Sequence, residues 1–87
     1  MSTHWLITAH QNGTPVASFY AESEKSTPPD DGTMIGATSY YRLGNRGFTF
    51  SRREIEIGEK PSVDVHAYKA AGVDVWLVIS PSEHDAD

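Results

Sequence analysis

The chain has 87 residues, enough for one domain with a modest core, because a domain of this size buries only about 60–65% of its unfolded surface. It has no cysteine, which excludes a disulfide staple, a thiolate zinc site and a cysteine nucleophile. Twelve acidic against seven basic residues give a formal charge of −5, a field that repels phosphate at long range and favours basic partners.

The opening "MSTHWLITAH" has no basic n-region and no run of seven apolar residues, so no secretory signal is expected. Residues 4–10 alternate, with Trp5, Ile7 and Ala9 on one side and His4, Leu6, Thr8 and His10 on the other. Asn12-Gly13 follows, the dipeptide most favoured where both central turn residues need positive φ, and "PVASFYAES" after it is rich in strand formers. The pattern predicts a β-hairpin. The competing reading is a helix over 15–24, with Thr14 as N-cap, Pro15 in its first turn and Val16, Phe19, Tyr20 and Ser23 at helical spacing.

Residues 25–33, "KSTPPDDGT", read as a loop, and "MIGATSYYRL" resumes extended structure. "GNRG" at 44–47 supplies a turn into a strand, "FTFSRREIEI". Phe48 and Phe50 share a face of that strand while Ile55 and Ile57 fall on the other, which predicts a bulge near Arg52-Arg53. "GEKP" is a loop. "SVDVHAYKAAG" (62–72) favours a helix: Ser62 caps, Asp64 lies in the first turn, Lys69 in the last, and Gly72 ends it. A strand is the alternative there, since Val63, Val65 and Ala67 also alternate. "VDVWLVIS" has the continuous apolar character of a strand buried on both faces, and Pro81 ends it. No apolar run approaches the length that crosses a bilayer. The expectation is a soluble, cytoplasmic α+β protein: a single globular domain over 1–81 and a disordered acidic tail over 82–87. The domain would hold an antiparallel sheet of about five strands and one short helix, in the order β-β-β-β-α-β. The helical reading of 15–24 gives instead a β-α-β-β-α-β ferredoxin-like order.

Four of the seven cations, Arg42, Arg46, Arg52 and Arg53, fall in the twelve residues 42–53, which also hold Phe48 and Phe50 and directly follow Tyr40 and Tyr41. Aromatics interleaved with arginines are what a single-stranded nucleic acid requires of a surface. Arg46, Gly47, Phe48 and Phe50 coincide with four of the seven defined positions of the base-stacking strand of the RNA recognition motif. Thr49, Ser51 and Arg53 depart from that pattern, and the first strand lacks the companion motif, so the chain is not assigned to the family.

No catalytic motif is present: neither Gly-x-Ser-x-Gly, nor a phosphate-binding loop, nor His-Glu-x-x-His. His4 and His10 share a strand face but lie about 20 Å apart, too far to chelate one ion. Glu54 and Glu56 point the same way from one strand and read as a solvated face beside Arg52 and Arg53. No cofactor, no metal and no enzymatic activity are expected. The favoured function is an acidic protein–protein interaction module, a small inhibitor or antidote that occludes a functional surface of a larger protein. Phage anti-defence proteins have this size and charge balance. The partner-binding residues would be Tyr40, Tyr41, Arg42, Arg46, Arg52 and Arg53, because tyrosine and arginine dominate hot spots, with Asp30 and Asp31 facing a basic surface. The alternative is a single-stranded nucleic-acid-binding domain using the 40–53 segment. Pairing of an exposed edge strand in a homodimer is a further expectation.

Overall fold

The computed structural model of the chain describes residues 2–79. The acidic tail, and the expected end of the domain at residue 81, lie outside the described residues. Strands β1 (Thr3–Gln11) and β2 (Thr14–Ser23) form the expected hairpin. Asn12 and Gly13 both take positive φ, 53° and 78°, as a two-residue turn between right-twisted strands requires. Residues 15–23 are therefore extended rather than helical, and the ferredoxin-like order does not occur.

The helix lies elsewhere than the sequence suggests. Residues 31–40, expected as loop and then strand, form α1 (Asp31–Tyr40). Asp30 caps it, its carboxylate accepting a hydrogen bond from the Thr33 amide at 2.8 Å. With Gly32 and Gly36 inside it, this segment has little intrinsic helicity. What holds it is burial of Met34, Ala37 and Thr38 against the sheet. Gly36 is required by the packing, since a Cβ there would overlap the Tyr68 hydroxyl.

The helix expected over 62–72 is absent. Val63 bridges Val78, Tyr68–Ala70 is strand β4, and Ala71-Gly72 turns directly into β5 (Val73–Leu77). Gly72 does take positive φ, 76°, but in a hairpin turn rather than at a helix end. The reason is the apolar run 73–77. One side of it pairs with β2, and an extended neighbour on the other side satisfies the remaining backbone groups, which a helix would not. With β3 (Phe48–Ile55), the result is a wholly antiparallel five-stranded sheet in the order β3-β1-β2-β5-β4, carrying one short helix. The α+β class stands, and the chain order is β-β-α-β-β-β.

The expected bulge near Arg52-Arg53 is also displaced. β3 pairs with β1 in unbroken register from Phe48 to Ile55. The irregularity falls in the first hairpin, where Ala9 faces Ala17 but His10 faces Pro15, leaving Val16 without an opposite residue. Pro15 has no N–H to lend a ladder, so the pairing breaks beside it. That single extra residue sets both faces of β2. It places Phe19 and Ala21 with Ile7, Val75 and Val73 under α1, and Tyr20 with Leu6 and Trp76 on the opposite face. Ile55 shares the opposite face and is buried there, so no change of register is needed in β3.

Candidate functional site

The helix-side face absorbs much of the arginine- and tyrosine-rich segment. Arg52 lies opposite Ile7 on this face. Its Nε donates to the carbonyl of buried Pro29 at 2.8 Å, its guanidinium pairs with Asp31, and it lies 5.9 Å from the Phe50 ring centroid. It ties β3 to the start of α1. Asp30 is occupied as the helix cap, and the amide bond it accepts holds its carboxyl below the usual carboxylate range. Tyr41 closes the helix C-terminus with its ring against Phe19. Its hydroxyl donates to the His66 carbonyl, with the Val75 carbonyl 3.2 Å away, and burial pushes its pKa up. Phe48 and Phe50 stack on one another at 5.9 Å and pack against the core from the helix side. Bases stacking on the phenylalanine pair would have to compete with that packing.

Asp30 and Asp31 are exposed although bonded at the helix start, and four further expected contact residues are exposed away from it. Tyr40 ends α1, edge-on to Tyr41 and tilted against Tyr68. Arg42 and Arg46 lie on the loop 41–47, and the Arg46 carbonyl accepts from Gln11 Nε2 beside the first hairpin turn. Arg53 points to the opposite face of the sheet from Arg52, 65% exposed against 21% for its neighbour, with Glu59 at 3.5 Å. The eight residues therefore do not form one surface. Arg52 with Asp31, and Tyr41, hold the helix to the sheet, Asp30 caps the helix, and the other four are spread over the helix end, the 41–47 loop and the open face.

The open face carries a group that inspection of the sequence missed. The Tyr20 ring is fully buried, stacked on His4 at 6.1 Å and packed on Trp76 at 5.5 Å, with the Lys60 ammonium 5.2 Å and 5.4 Å from the two larger rings. The Tyr20 hydroxyl donates to Glu22 at 3.1 Å and lies 2.8 Å from His4 Nδ1. A hydroxyl has one proton to give, so His4 supplies the N–H of the second contact from Nδ1. Burial, then the Glu22 charge and its hydrogen bond, raises the Tyr20 pKa well above the ordinary phenol value. A bulge-free hairpin would place His4 opposite Ala21, so only the slip at Val16 brings His4 and Glu22 together. The early break at Pro15 was the available signal. Trp76 is half-buried on this other face.

Register also sorts charge by position along the strands. Glu22 faces both His4 and Asp74, and Ile55 faces His4 from β3. Glu22, Glu24, Glu54, Glu56 and Asp74 therefore gather at one end of the sheet. A shallow cavity of about 310 Å³ opens there, lined by Glu22, Glu24, Asp74 and Lys69 among others. Lys69 pairs with Asp74 at 3.6 Å, and Arg53 with Glu59. At the Asn12-Gly13 end stand Arg46 and the loop that carries Arg42. Among the described residues no three of His, Asp and Glu stand close enough to share a metal ion. No described helix is long and apolar enough to cross a membrane.

Comparison of the chain with protein-family models, with curated proteins and with solved structures finds no match.

Proposed function

We propose that the chain is a non-enzymatic interaction module that sets the acidic end of its sheet against a basic surface of a larger cytoplasmic protein. It acts as an inhibitor or antidote, occluding a surface that otherwise holds nucleic acid, in the manner of a phage anti-defence protein. The observation that carries this reading is the gathering of Glu22, Glu24, Glu54, Glu56 and Asp74 at one sheet end. Such an array speeds and orients encounter with a cationic partner. Nucleic-acid stacking is less well supported, because Phe48 and Phe50 pack on the helix side and Arg52 is committed to Pro29 and Asp31.

Affinity capture from the native source, with increasing salt and with single-stranded DNA as competitor, tests the reading. The expected result is one dominant partner, released by salt and by DNA, and lost with the triple variant Glu24→Gln, Glu54→Gln, Glu56→Gln. Retention of the same partner by that variant, at the same salt tolerance, would sink it.

A further inference from the structure

Arg42 occupies the position after a helix where glycine is the usual residue. Helix α1 ends in a six-residue closing motif: the Leu43 amide donates to the Thr38 carbonyl at 2.8 Å and the Arg42 amide to the Ser39 carbonyl at 3.0 Å. That geometry puts Arg42 at φ 63°, in the left-handed region where any residue with a Cβ is disfavoured. Among the described residues the other non-glycine residue with positive φ, Asn12, sits in a turn type that selects asparagine. Among the described residues neither Arg42 nor Arg46 has a carboxylate partner. The closing motif accounts for the left-handed backbone at this position but not for an exposed arginine there, where glycine would cost least.

Two surfaces of this molecule complement one another. The Tyr40–Arg46 segment offers Tyr40, 49% exposed, and Leu43, 38% exposed, beside two arginines. The far end of the sheet offers Ile57, 55% exposed, beside Glu54 and Glu56, with Glu59 there paired to Arg53. Each is an apolar centre with a charged rim, and the rims have opposite sign. β1 runs from one end to the other, nine residues or about 30 Å. That is several times the screening length of about 8 Å at physiological salt, so facing charges rather than the net charge decide the contact. We propose that the Tyr40–Arg46 segment docks the acidic sheet end of a second copy of this chain, giving a head-to-tail contact. A heterologous contact of this kind is not satisfied by a symmetric dimer; it adds further copies as concentration rises, into a ring or an open chain. The free edge of β3 is the less favourable route, because its Arg52-Arg53-Glu54 run obstructs edge pairing.

Sedimentation velocity over a concentration series at about 50 and 500 mM salt tests the proposal. Two variants are needed: Arg42→Gly with Arg46→Ser, and Glu24→Gln with Glu54→Gln and Glu56→Gln. At low salt the wild type should sediment faster as concentration rises, without a plateau at dimer, and high salt should abolish this. Each variant alone should associate at least about tenfold more weakly. An equimolar mixture should restore association and stop at dimer, because each variant keeps one intact half of the junction. Arg42→Gly relieves the left-handed strain and should raise the Tm by about 4 °C, so loss of association cannot be assigned to unfolding. A monomer at every concentration, a discrete dimer indifferent to both variants, or a mixture no heavier than its parts would each overturn the proposal. No partner protein enters this experiment, so its failure would leave the docking reading of the acidic end standing.

Discussion

The two faces of the sheet are stabilised by different means, although the same strands build both. Under α1 the side chains are apolar and interlocked: Ile7, Ala9, Phe19, Ala21, Val73 and Val75 meet Met34 and Ala37. On the open face one buried ring, Tyr20, carries a hydroxyl that must be satisfied, and His4 and Glu22 satisfy it while Trp76 and Lys60 cover the ring. Adjacent residues of one strand fall under these different regimes. Arg52 is committed to the helix and Arg53 faces outward, so arginine content alone does not mark a binding surface.

The largest difference between the faces should come from truncating an apolar side chain on each. Phe19→Ala opens a cavity in the interlocked layer and should cost about 3–5 kcal/mol, whereas Leu6→Ala on the half-buried face should cost about 1 kcal/mol. Urea denaturation of both variants checks this, and equal losses would mean that the open face is as tightly packed as the covered one. The seating of the helix is sharpened by Gly36→Ala, which adds a methyl group where the Tyr68 hydroxyl lies. In the wild-type background it should destabilise by about 1–3 kcal/mol through overpacking. In a Tyr68→Ala background the same change should stabilise by up to about 1 kcal/mol, because alanine is the better helix former. The cycle of four proteins isolates the contact.

The neighbouring arginines break the comparison at a smaller scale. Arg52→Ala strips a buried carbonyl of its donor and should cost about 1–2 kcal/mol, while Arg53→Ala removes an exposed ion pair and should cost less than about 0.5 kcal/mol. The smallest effect concerns the helix cap. Asp30 has a lowered pKa in the folded state, so the charged form stabilises the fold. That contribution is complete above the unfolded carboxyl value, about 3.9, and is lost as pH falls through the folded one. Asparagine caps without titrating. The urea midpoint of Asp30→Asn should therefore lose less between pH 6 and pH 2.5 than that of the wild type, and parallel losses would show that the cap charge does not matter.

The open face is the part of the site least legible in advance. His4, Tyr20 and Glu22 are each unremarkable as letters, and a plain alternation read from the Asn12-Gly13 turn pairs the wrong residues across the hairpin. The arginine and tyrosine positions were legible as a cluster, but a cluster in sequence does not say which face each side chain takes. In "SRRE" the alternation of a strand separates them.

By itself the amino-acid sequence favoured the first hairpin over a helix, through the dipeptide best suited to its two-residue turn, and marked the apolar strand at 73–77. It also determined the class of fold and the charge. Tertiary structure decided where the helix stands, because 31–40 is held by burial rather than by its own propensity, while 62–70 is drawn into extended pairing and a hairpin by the unfilled side of β5. It also decided the faces, since one unpaired residue at Val16 fixes the orientation of every side chain that follows in β2.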